Sequence, residues 1–102
     1  MSLRERLDEV VAKIEQAHQA VGADDGASPV LAAVVREFEA KAAKARKAVV
    51  GDGAAAREAI VELEQAGDSA KAAAEADPAV GGPARQSVLD AHLAICMLKA
   101  SM

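Results

Sequence analysis

The sequence predicts an all-α fold, a four-helix up-and-down antiparallel bundle formed by residues 1–102 as a single domain. Three observations predict it. Apolar residues recur in steps of three and four, the period of a helix, and nowhere alternate every second residue as in a half-buried strand. Clusters of Gly, Pro, Asp and Ser cut the chain at three places into four segments of similar length. Those clusters are short, and short connections make consecutive helices antiparallel neighbours.

The first helix is predicted over about residues 3–21. Ser2-Leu3-Arg4-Glu5 has capping-box spacing, in which the Ser hydroxyl accepts from one free amide of the first turn and the Glu carboxylate reaches back to another. Leu3, Leu7, Val10, Ile14, Ala17 and Val21 form its seam, and Gly22 stops it. After the turn-rich stretch from Gly22 to Ala27, Ser28-Pro29 reads as an N-cap followed by Pro at the first helical position. The second helix follows over about 29–50, with Leu31, Val34, Phe38, Ala45 and Val49 on its seam. Gly51-Asp52-Gly53 predicts a tight hairpin, Gly51 taking a left-handed conformation and Asp52 capping the third helix.

The third helix, about 54–76, holds the spacing with Ala56, Ile60, Leu63, Gly67, Ala70 and Ala74, of which only two are large. If helices two and three fold back about Asp52, Phe38 faces Ala66 and Gly67, a ring against a notch. The alternative is a kink at Gly67-Asp68-Ser69, with Asp68 capping a short final helix. The same register sets Lys41, Lys44 and Lys47 near Glu58 and Glu62, which reads as weak interhelical charge pairing at a solvated surface rather than a basic ligand-binding face. Asp77-Pro78 ends the third helix, and Pro83 after Gly81-Gly82 opens the fourth, about 83–101.

Composition narrows the function classes. Of 53 apolar residues 27 are Ala, so the core is thin and a second copy of the chain would add burial that one copy lacks. A net charge of −4 argues against a nucleic acid partner, which requires a surplus of Lys and Arg on one face. There is no Trp or Tyr, and Phe38 is the sole aromatic residue, so base-stacking platforms are missing too. No apolar run is long enough to span a membrane. Cys96 is the single cysteine, which excludes an internal disulfide and, with no signal-like leader, makes the cytoplasm the expected location.

Chemistry-bearing residues are few. His18 falls on the apolar arc of helix one, and Glu15 and His18 have the spacing of ligands on adjacent turns in dinuclear carboxylate bundles. The second such pair is missing, because Leu89 stands three residues before His92. Phosphoaccepting histidines on bundles are followed by Lys and then Gly; His18 has Val21 where Lys belongs, and His92 is followed by Leu93, Ala94, Ile95 and Cys96. His92 and Cys96, four apart, share a face and make half of a soft-metal site. A third ligand is the difficulty, because His18 is expected to lie about 9 Å from His92 in height along the bundle. With no Gly-rich phosphate loop and no nucleophile beside a base, the expectation is no catalytic residue, no cofactor, no bound metal and no enzymatic activity.

Helix four is the most informative segment. From Val88 to Leu98 only Asp90 and His92 are polar. Val88, Ala91, Ile95, Leu98 and Met102 form one stripe, and Leu89, Leu93, Cys96 and Met97 form a second. One stripe faces the bundle; the second serves either a further helix of the same chain or another copy. The thin core favours another copy. The sequence thus predicts a non-enzymatic interaction or scaffold module that self-associates as a homodimer through Leu89, Leu93, Cys96 and Met97 and can engage a further protein partner. The alternatives are a small-ligand or metal-binding bundle using His18, His92 or Cys96, and a histidine phosphocarrier.

Overall fold

The structure, a computed structural model, describes residues 2–50 and 53–102. Four helices make up the bundle: α1 (Leu3–Gly22), α2 (Pro29–Ala48), α3 (Gly53–Ala76) and α4 (Gly82–Ala100), with no strand among the described residues. The start signals act as their chemistry requires. The Ser2 hydroxyl accepts from the Glu5 amide at 3.1 Å while the Glu5 carboxylate accepts from the Ser2 amide, completing the capping box. Ser28 caps α2 through the Leu31 amide, with Pro29 in the first turn. α2 ends at Ala48 rather than near Val50, and its cap Val49 donates to the Ala45 carbonyl. The roles expected of Gly51 and Asp52 lie outside the described residues.

Each helix packs on its neighbours in sequence, and α4 closes the square against α1. The seams meet in one core: Leu7 and Ile14 of α1, Leu31, Val35 and Phe38 of α2, Ile60 and Leu63 of α3, and Val88, Ile95 and Leu98 of α4. Alanines complete it where backbones approach closely, among them Ala17, Ala45, Ala70, Ala74 and Ala91. On α2 the core position belongs to Val35, and the expected Val34 and Val49 are only half-buried. Leu31, Val35, Phe38, Ala42 and Ala45 keep a regular four-three spacing, which holds the seam on one side of the helix.

α3 runs unbroken through Gly67, so the notch and not the kink is correct. A Cβ on Gly67 would stand 3.1 Å from Cζ of Phe38 and 3.3 Å from Cγ2 of Ile95. The ring of Phe38, fully buried, occupies the space a side chain would have taken. The predicted register also brings Lys41 and Lys44 to Glu62, at 3.2 and 3.1 Å, and these two lysines, Lys44 foremost, hold the Glu62 carboxyl below its ordinary range. Among the described residues Lys47 and Glu58 take no part in this pairing.

At one end of the bundle the α1–α2 and α3–α4 connections are tied together by two carboxylates. Asp77, the one buried charged residue among those described, accepts from the Ser28 amide at 2.7 Å and from the Ala79 and Val80 amides at 3.0 and 3.2 Å. Those donors, Ser28 first, hold its carboxyl below the usual range despite burial. Asp24 accepts from Gly26 within its own loop and from Gly81 of the other, both at 2.8 Å. Gly26 lies so close to the facing loop that a Cβ there would overlap the Ala79 carbonyl. Arg85 finishes the knot by donating to the carbonyls of Ala74 and Asp77 that the end of α3 leaves free.

Candidate functional site

The helical period sets His92 and Cys96 one turn apart on the flank of α4 that faces α3. The Cys96 sulfur lies 3.4 Å from His92 Nε2. α3 supplies what the sequence reading lacked: Asp68 Oδ1 is 2.7 Å from the same Nε2. One oxygen, one nitrogen and one sulfur from two helices lie within 4.8 Å of one another. The His92 side chain is 16% exposed and that of Asp68 61%, so the cluster sits at the bundle's edge with one side to solvent.

A second layer of charge surrounds it. Glu64, one turn before Asp68 on α3, accepts from Lys99 Nζ at 2.8 Å. The Glu64 carboxylate raises the pKa of Lys99, and burial first, then Glu64 and Asp68, raises that of the Cys96 thiol. A thiol kept protonated is a poor nucleophile, so Cys96 as it stands is unsuited to thiolate chemistry.

Asp68 was legible by the argument already used for α2 and α3. Folding α3 and α4 back about Val80 puts Asp68 opposite His92 and Glu64 opposite Cys96, each pair equally far from the turn in sequence. The third ligand is thus an acid of α3 and not the second histidine. His18 does not join the cluster. It faces α2, where Nδ1 lies 2.8 Å from Glu39 Oε2 with its side chain 42% exposed, and Glu39 takes the place that the sequence offered to Glu15.

The second stripe of α4 divides. Leu89 and Cys96 are half-buried, Cys96 beside Asp68 of α3, whereas Leu93 and Met97 point outward and are 58% and 63% exposed. On the first stripe Val88, Ala91, Ile95 and Leu98 are buried, and only Met102 beyond the helix is exposed. Met97 and Ala94 continue into a shallow groove against Val10 of α1. Arg6, Glu9 and Lys13 of α1 and Asp90 of α4 line its rim.

The class of protein these features define is a small helical bundle whose last helix carries a mixed-donor cluster on one flank and an uncovered apolar strip on its outer face. No protein-family model matches the chain, and no curated protein or solved structure matches it either. No helix among the described residues is long and apolar enough to cross a membrane.

Proposed function

We propose that the protein is a non-enzymatic interaction module that self-associates through the outer face formed by α4 and α1. The observation that carries this reading is the exposure of Leu93 and Met97 side by side, one turn apart, on a helix whose other large apolar side chains are buried or half-buried. A contiguous apolar strip rimmed by charges is the usual form of an interaction surface. The rim argues for a second copy as the occupant. A face that meets itself about a two-fold axis must not set like charge against like. Here Lys13 and Asp90 lie at one end of the strip and Arg6 and Glu9 at the other, one cation and one anion at each. The thin alanine-rich core adds a reason, since apolar area buried between copies supplements what one copy can bury.

Sedimentation equilibrium of the full chain tests this. The expected result is twice the monomer mass in the micromolar range, and a single monomeric species throughout that range would overturn the proposal. Replacing Leu93 and Met97 together by Glu is expected to raise the dissociation constant by at least about tenfold, because the interface would have to desolvate two carboxylates. Helix content by circular dichroism should be unchanged, both side chains being outside the core.

A further inference from the structure

We infer that Asp68, His92 and Cys96 form a binding site for a divalent transition-metal ion of the zinc type, held between α3 and α4. A carboxylate, an imidazole and a thiol from two helices point at one place, with their donor atoms within 4.8 Å of one another. A cation at the centre of the triangle satisfies all three at once.

The donor set selects the ion. A sulfur, an imidazole nitrogen and a carboxylate oxygen together suit zinc and its neighbours, whereas magnesium and calcium require oxygen and copper(I) prefers more sulfur. The sulfur–nitrogen distance agrees with a tetrahedral site. Bonds of about 2.3 Å to sulfur and 2.0–2.2 Å to nitrogen and oxygen separate sulfur from nitrogen by about 3.6 Å and nitrogen from oxygen by about 3.4 Å. The present separations are 3.4 and 2.7 Å. The sulfur and nitrogen need almost no movement, and the Asp68 oxygen, within 4.8 Å of the sulfur, withdraws from the nitrogen by about 0.7 Å and settles about 3.6 Å from the sulfur, which its exposed side chain is free to do.

Three protein donors leave the fourth position open on the solvent side, where a water molecule completes the shell. On binding, the metal–sulfur bond replaces the S–H bond and that proton passes to solvent. His92 binds as the neutral imidazole through Nε2, with its ring proton on Nδ1, and no electron changes hands. Glu64 contributes negative charge beside the ion while remaining paired with Lys99.

Cobalt(II) titrated into the reduced full-length chain tests the site. With no Trp or Tyr, the near-ultraviolet is clear for the thiolate-to-cobalt charge-transfer band. The expected result is that band saturating at one cobalt per chain, displaced by zinc(II), with visible bands of four-coordinate intensity. Cys96→Ser should abolish the charge-transfer band, and Asp68→Asn and His92→Gln should each weaken binding by at least about tenfold with helix content retained. Absence of a saturable band in the wild type would overturn the site, as would a band indifferent to Asp68→Asn and His92→Gln, which signifies adventitious binding to a thiol. The variant with Glu at positions 93 and 97 should bind cobalt as the wild type does, so this site and the self-association face stand or fall separately.

Discussion

Asp77 shows what a single carboxylate does when it replaces water with three backbone amides. Because those amides lower its folded-state pKa below the ordinary value of 3.8, the ionised form is the one that folding favours. Its contribution is fully present above that ordinary value and is lost as pH falls toward the lower folded value. Asp77→Asn places an amide donor where a carboxylate oxygen met backbone N–H groups, and is expected to lower the thermal midpoint at neutral pH and flatten the acid limb of the stability profile. Thermal melts between pH 2 and 7 check this; a variant with the wild-type acid limb would refute it. Two glycines give a second comparison at this scale. A Cβ on Gly22 meets nothing within 4 Å, whereas one on Gly26 overlaps the Ala79 carbonyl. Gly22→Ala is therefore expected to stabilise by about 0.5 kcal/mol through the unfolded chain's lost freedom. Gly26→Ala should destabilise by more than that. Urea unfolding of both variants measures the difference.

Among the elements, α3 is built to receive its neighbours. Its buried face carries Ala56, Ala59, Gly67, Ala70 and Ala74, and the large side chains it meets come from α2 and α4. An interior Gly ordinarily costs about 1 kcal/mol against Ala, so Gly67→Ala would stabilise if helix propensity alone decided. Phe38 and Ile95 oppose it by crowding the new methyl. The expected result is no gain, or a loss, in the wild-type background and a gain approaching 1 kcal/mol once Phe38→Leu has opened the notch. Equal effects of Gly67→Ala in both backgrounds, measured by denaturant unfolding, would show that the contact does not matter. α4 is the counterpart of α3, with large apolar residues on both its inner and outer sides, and Leu93 and Met97 on the outer side are largely exposed.

On the scale of the whole molecule, four helices surround a core in which alanine fills many of the inward positions. Such a monomer buries little per residue, and self-association couples to stability by mass action. The melting temperature should therefore rise with protein concentration in the wild type and be independent of it in the variant with Glu at positions 93 and 97. A concentration-independent wild type would count against the dimer. The surface pairs at Glu62, Glu64 and Glu39 set helix register more than they set stability, because exposed ion pairs are weak and screened by salt.

Local rules within the chain determined the architecture. Caps at Ser2 and Ser28, Pro at Pro29 and Pro83, and the three-four spacing of apolar residues specify four helices and their antiparallel order, because each acts over a few residues. The Phe38–Gly67 contact and the Lys41–Glu62 pairing were legible as well, since a tight turn counts the register of the two helices it joins. Tertiary structure alone decided which of Val34 and Val35 enters the core, and that the Asp24 and Asp77 carboxylates lock two loops far apart in sequence. It also divided the second stripe of α4, half-burying Leu89 and Cys96 and leaving Leu93 and Met97 outside. His92 and Cys96 stood out in the sequence as half of a cluster; the register about Val80 sets Asp68 opposite His92, and the packing of α3 on α4 brings its carboxylate within 2.7 Å. A donor set shared between two helices depends on their relative rotation and height, and packing of the whole bundle sets both.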